Sequence, residues 1–202
     1  MRVVKLSLIG VLLVVVALAA VVLARVNNVW QLGHVDEFVH GVSAVVHASQ
    51  GRRASPHEST SGTIDGTEVT ITYGRPYMRG RVIFGRLVPY NRVWCPGADE
   101  ATTIESARSL QVGDLKVPAG SHTIWVLPSP DKWTLIVSKE PSGFHTNYNQ
   151  SADLGRVEFA KRMLDTPVEQ LTFAVVPNPS GRGGMLTMSW ETTEASVPLA
   201  VQ

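Results

Sequence analysis

The order of apolar and polar positions divides the chain into three textures. Leu6 to Ala24, "LSLIGVLLVVVALAAVVLA", is almost wholly apolar, with no charge until Arg25. A run of roughly 18–19 such residues is long enough to cross a bilayer core as a helix. Residues 1–25 are therefore expected to form a transmembrane signal anchor. In the next stretch, 26–48, the apolar residues Val29, Trp30, Leu32, Val35, Phe38, Val39, Val42, Val45 and Val46 recur mostly at spacings of three and four. That period predicts an amphipathic juxtamembrane helix, although Gly33 and Gly41 weaken it. Residues 49–62, "SQGRRASPHESTSG", hold no large apolar residue and have a linker composition.

From Thr63 the period changes to two. In "EVTITYGRP", Val69, Ile71 and Tyr73 alternate with Thr70 and Thr72, the pattern of a half-buried strand. One or two strands are expected in "ATTIESARSLQV", with a tight turn at Gly113–Asp114 before "LKV". "SHTIWVLP" and "WTLIVSKE" predict two more, and "VEQLTFAVVP" and "GMLTMSWET" a pair joined across "NPSGRGG". Only "SADLGRVEFAKRML" has helical flavour, and Gly155 and Val157 argue equally for an extended segment. A short strand is expected at "RVIF", 81–84. Many short strands with frequent turns predict an all-β fold: an antiparallel sandwich or barrel-like domain over 63–202, preceded by the N-terminal transmembrane helix.

Charge sharpens this picture. Arg2 and Lys5 precede the apolar run, and all 17 acids follow it. This positive flank predicts a cytoplasmic N-terminus and a C-terminal domain on the outer side, with a single pass through residues 6–24. The alternative is secretion after cleavage, since "ALA" at 17–19 imitates a cleavage site. Removing Arg2 and Lys5 from the 18 basic residues leaves 16 against 17 acids. A nucleic-acid partner is not expected at that balance. A single cysteine, Cys95, excludes an internal disulfide, so the β domain depends on its core.

The stretch "YGRPYMRGRVIFGRLVPYNRVWCPGADEATTIE", 73–105, together with "VPAGSHTIWVLP", "WTLIVSKE", "PVEQLTFAV" and "LTMSWE", resembles a bacterial family known as domain of unknown function 2911. The resemblance covers roughly residues 63–199, with a long central motif, and implies a bacterial envelope protein in the inner membrane. It supplies no reaction, substrate or cofactor. It also implies that Arg can stand at the position of Cys95 and Asn at that of Asp99. Neither side chain is then a fixed chemical requirement.

Candidate chemistry is sparse. Cys95 would need a cationic pocket or a histidine, His122 or His145, to become a nucleophile. Asp99 and Glu100, as neighbours, point to opposite faces if they lie on a strand. Arg75, Arg79, Arg81, Arg86 and Arg92 fall in a window, 69–98, that holds no acid, and Tyr73, Tyr77, Phe84, Tyr90 and Trp94 are interleaved. Guanidinium groups bind carboxylates and phosphates in bidentate fashion and stack on rings. The segment is expected either to form a surface for an anionic or glycan envelope ligand or to brace an irregular crossover. The candidate ligand-binding residues are Tyr73, Arg75, Arg81, Trp94, Asp99, Glu100 and Thr102. A non-enzymatic binding or scaffolding module is the leading expectation. The alternatives are a small envelope enzyme using Glu100 or Asp99 as acid/base and a purely structural module. No P-loop, dinucleotide fingerprint, nucleophile elbow or HExxH is present, and neither a metal nor a cofactor is expected. His34, His40 and His47 are read as solvated or interfacial. Trp125, Trp133 and Trp190 are read as core.

Overall fold

A computed structural model of the chain describes residues 54–179 and 181–202. The expected signal anchor at 1–25, the juxtamembrane helix at 26–48 with its histidines, and the start of the 49–62 segment lie outside the described residues. Among the described residues no helix is long and apolar enough to cross a membrane.

The described chain is all-β. Its strands are β1 (His57–Ile64), β2 (Thr67–Gly74), β3 (Thr103–Ser106), β4 (Leu110–Val112), β5 (Leu115–Val117), β6 (Gly120–Leu127), β7 (Trp133–Ser138), β8 (Asp153–Pro177) and β9 (Gly184–Val201). They form one nine-stranded sheet in the order β1-β2-β3-β6-β7-β8-β9-β4-β5, with every pairing antiparallel. β1 begins inside the 49–62 stretch. It pairs residue for residue with β2, from His57 opposite Gly74 to Ile64 opposite Thr67.

Alternation explains β2, where Val69, Ile71 and Tyr73 are buried and Glu68 is exposed. β6 and β7 are buried on both faces, which accounts for their unbroken apolar runs. β8 is long because it serves two neighbours. Its first part pairs with β7 from Asp153 to Phe159, and from Ala160 onward it pairs with β9. The register shifts between Met163 and Val168 and again between Val168 and Thr172. These irregularities let one strand turn across the fold, as bulges do. β1 packs on the far half of β8, where a Cβ on Gly62 would strike the Val175 backbone.

Ile71, Ile124, Leu135, Phe159, Phe173, Leu186 and Trp190 are among the residues of the principal core. Trp133 and Trp190 are fully enclosed there. A smaller cluster of Cys95, Ala101, Trp125 and Ile136 lies on the other side of β6–β7, capped by Tyr148. One local alternative resolves and one expectation changes. "SADLGRVEFAKRML" is strand from Asp153, after a short 3-10 turn at Gln150–Ala152, because Val157 and Phe159 enter the core opposite Leu135 and Trp133. "RVIF" runs into a tight turn, because the Arg86 and Val88 N–H groups close onto the Ile83 carbonyl and the Gly85 N–H onto that of Val88.

Candidate functional site

The segment joining β2 to β3 is 28 residues of irregular backbone, 75–102, and its polar groups are satisfied in two different ways. Its first half leans on the β8–β9 hairpin. The Arg75 Nη1 ion-pairs with Glu58 Oε2 at 2.6 Å, its Nε donates to the Leu171 carbonyl at 3.2 Å, and its Nη2 donates to Thr172 Oγ1 at 3.1 Å. Burial alone would lower the Arg75 pKa, but the Glu58 hydrogen bond contributes to a net rise. The Tyr73 ring lies beneath this guanidinium, 6.0 Å away, and its hydroxyl accepts the Phe173 N–H at 3.0 Å. Burial raises the Tyr73 pKa. Arg81 turns onto its own loop and donates to the carbonyls of Met78 and Tyr77 at 3.0 and 2.6 Å. Glu169 and Glu191 supply acceptors from below. Glu169 Oε1 takes the Arg79 N–H at 2.8 Å, and the Glu191 carboxylate takes those of Ile83 and Phe84 at 3.1 and 3.4 Å.

The second half is zipped to β6. Trp94 and Val126 exchange both backbone bonds at 2.8 Å, and the Ile124 N–H reaches the Thr102 carbonyl at 2.9 Å. The Trp94 ring faces inward, stacked on Trp190 at 6.1 Å and edge-on to Phe84. Cys95 therefore faces the outer cluster and is 1% exposed. Its sulfur accepts the Thr102 N–H at 3.3 Å, and burial pushes the thiol up to about 11. It is a neutral wall residue at physiological pH, without the thiolate a nucleophile needs. The Thr102 hydroxyl is buried too and donates to the Pro96 carbonyl at 3.0 Å.

Asp99 and Glu100 emerge at a polar corner. Gly74 makes room for it: a Cβ there would collide with the Ala98 carbonyl. Asp99 adopts a positive φ of 65°, and its carbonyl accepts both the backbone N–H of His145 at 3.1 Å and the ring Nδ1–H at 2.7 Å. Glu100 pairs with Phe144 through an antiparallel bridge, and its carboxylate stands 3.4 Å from His57 Nδ1. Both of these side chains are partly exposed, 45% for Glu100 and 31% for His57. The Phe144 ring is 48% exposed and lies 4.5 Å from the His145 ring. The loop behind them, 139–149, is tied to β8 by Tyr148. Its hydroxyl contacts both Asp153 oxygens at 3.0 and 2.8 Å and accepts from Arg156 at 2.7 Å. Burial, with Asp153 adding to it, raises the Tyr148 pKa.

Of the seven residues expected from sequence, the structure places Tyr73, Arg75, Asp99 and Glu100 around the paired ends of β1 and β2. Thr102 lies below, buried. Trp94 and Arg81 sit apart, one packed half-buried against the core and one on the turn after Met78. Sequence reasoning missed His57, because it lies in a stretch with linker composition, and Phe144, which lies between "WTLIVSKE" and "SADLGRVEFAKRML" where no element is expected. His145 was considered only as a partner for Cys95. His122 lies on β6 with its ring between the Ser138 and Pro118 carbonyls, on the face opposite Trp125. Among the described residues no group of three or more His, Cys, Asp and Glu is placed to hold a metal ion. A cleft of about 420 Å³ at the β8–β9 hairpin end is lined by Val176, Arg182, Met185 and Pro198, among others, and includes none of the seven.

The chain belongs to the family described as "Protein of unknown function (DUF2911)", whose model matches residues 55–199. No curated protein and no solved structure matches it.

Proposed function

We propose that this member of the family is a membrane-anchored, extracytoplasmic binding module whose ligand is a glycan of the bacterial envelope. Residues 1–25 would be the anchor, on the strength of the apolar run and its positive flank. The ligand site is the corner formed by His57, Asp99, Glu100, Phe144 and His145. The observation that carries this reading is the exposed Phe144 ring, held beside His145 by a backbone bridge to Glu100. A fixed ring offers apolar area with little entropy left to lose on binding. Flanking carboxylate and imidazole groups suit sugar hydroxyls, which need both acceptors and donors. An anionic ligand on Arg75 and Arg81 is less well supported, since both donate to protein acceptors.

The test is calorimetric titration of the full chain in detergent with neutral oligosaccharide fragments of envelope glycan. Phe144→Ala is expected to weaken binding about tenfold, as loss of a central aromatic contact does, with an unchanged unfolding temperature. Equal binding by parent and variant refutes the reading. The His57–Glu100 contact favours one competing reading, a glycan-cleaving enzyme with Glu100 as acid/base. It requires turnover of the same fragments that Glu100→Gln abolishes.

A further inference from the structure

The arginines of the 75–92 stretch fall into two groups. Arg75, Arg79 and Arg81 donate to protein acceptors, namely carbonyls, Thr172 and Glu58. Arg86 and Arg92 are exposed, and among the described residues their side chains make no hydrogen bond or ion pair. Two aliphatic side chains share their exposure. Val82 is 57% and Leu87 37% exposed. They occupy the same closed turn, in which the Leu87 N–H meets the Val82 carbonyl and the Val88 N–H meets that of Ile83.

The turn is held firmly from the inside. Ile83, Phe84 and Val88 enter the core, and the Glu191 carboxylate binds the Ile83 and Phe84 N–H groups. Gly85 has φ +85°, and a Cβ there would stand 2.8 Å from the Tyr90 ring. The backbone is thus fixed while Val82, Arg86, Leu87 and Arg92 face outward. No acid occurs in sequence between residues 69 and 98. Glu169 and Glu191, which contact this segment, are engaged with backbone N–H groups of Arg79, Ile83 and Phe84.

We propose that the 82–92 projection is a lipid-contact surface that seats the β domain on an anionic bilayer. Aliphatic side chains beside arginines on a rigid support suit the headgroup boundary, where apolar area enters the acyl region and guanidinium groups meet phosphates. A polar ligand site would leave Val82 and Leu87 unexplained. A purely apolar protein interface would leave two arginines desolvated without partners. This surface is separate from the Phe144 corner and stands whether or not that corner binds a glycan.

The test uses the full chain reconstituted into vesicles, with an environment-sensitive dye on Pro89→Cys and, as a control, on Lys116→Cys of β5. Cys95 is buried and takes no label. In vesicles of equal phosphatidylglycerol and phosphatidylcholine, the dye at 89 is expected to shift to the blue and resist aqueous quencher. The dye at 116 stays accessible. Val82→Ser with Leu87→Ser should raise quenching at 89 about tenfold. Arg86→Glu should raise it about fivefold or more, with the residual protection lost at high salt. The proposal is overturned by equal quenching at 89 and 116, by protection that the variants leave intact, or by equal protection in phosphatidylcholine alone. Displacement by dextran sulfate with no blue shift also overturns it, since the surface would then serve a soluble polyanion.

Discussion

The two halves of the crossing segment, residues 75–88 and 93–102, lie in the same irregular stretch, each bridges one strand, and they differ in what else holds them. In the first half the backbone meets a strand only around Tyr77, which bridges Gln170 of β8 through the Met78 N–H to Glu169 carbonyl and Leu171 N–H to Pro76 carbonyl bonds, and side chains of the β8–β9 hairpin and β1 meet further donors of the segment: Glu58, Glu169, Thr172 and Glu191. In the second half the backbone joins β6 directly, with Cys95 buried on one side and Trp94 packed against the principal core on the other. A long loop can thus be ordered either by charge-assisted hydrogen bonds or by sheet pairing and apolar burial. The two modes differ in what breaks them. Charge removal should loosen the first half. Volume loss or ionisation of a buried group should loosen the second.

The strongest way to blur that contrast is Phe84→Ala. Phe84 is the apolar peg of the otherwise polar half and touches Trp94, Trp133 and Trp190 at 4.6–6.2 Å between ring centroids. Its removal leaves a cavity shared by both halves, with an expected loss of about 3–5 kcal/mol. Thermal unfolding should fall by roughly 2–4 °C for each kcal/mol. Arg75→Ala attacks the first half alone. It leaves the Leu171 carbonyl without this donor and should cost about 2–4 kcal/mol by denaturant titration. Arg75→Lys should recover less than half of the loss, because one ammonium cannot reproduce the forked contact with Leu171, Thr172 and Glu58. Full rescue by lysine would mean that charge matters there and geometry does not.

Cys95 provides the matching test of the second half. Its thiol pKa is raised from 9.0 to about 11 in the fold, with burial as the cause. Between those values the unfolded chain loses this proton and the folded chain keeps it. The stabilisation is therefore complete below pH 9 and is lost as pH rises toward 11. Linkage puts the total at about 2–3 kcal/mol at most. Unfolding free energy measured at pH 8, 9, 10 and 11 should show this decline, and Cys95→Ala should remove that part of it. If the variant keeps the same slope, the alkaline weakness lies elsewhere, and Cys95 is less well enclosed than its 1% exposure indicates.

Alternation made β2 and the β8–β9 pair legible, and unbroken apolar runs made β6 and β7 so, because Val69, Ile71, Leu135, Phe173 and Trp190 all meet one core. β1 was hidden for a physical reason. Seven of its eight residues escape full burial, and only Ile64 is core. It is held by its backbone pairing with β2 and by close approach to β8 at Gly62, neither of which leaves an apolar pattern. The site was half legible. The family motif drew attention to Asp99 and Glu100. Their neighbours His57 and Phe144 come from stretches more than 40 residues away on either side, and no local pattern records such a meeting. Sequence also could not say which arginines are spent internally. That division depends on where the Leu171, Met78 and Tyr77 carbonyls stand.

The smallest expected effect separates strain from capping within the first half. Glu191 lies in β9 with φ +54°, a conformation that side-chain-bearing residues adopt at a cost. The same residue caps two N–H groups of the 82–88 turn. Glu191→Gln keeps the backbone strain and one oxygen acceptor but loses charge and the second oxygen, so it should cost about 1–2 kcal/mol. Glu191→Gly loses both caps but relieves the strain, and the two effects should nearly cancel to within about 1 kcal/mol. Hydrogen exchange then distinguishes two variants of similar stability. With Gly, the Ile83 and Phe84 amides should exchange far faster than with Gln. With either variant, the Trp94 and Val126 amides, zipped across β6, should be unchanged. Faster exchange at Trp94 would show that the halves are mechanically coupled, and that the distinction between polar bracing and sheet pairing does not survive in solution.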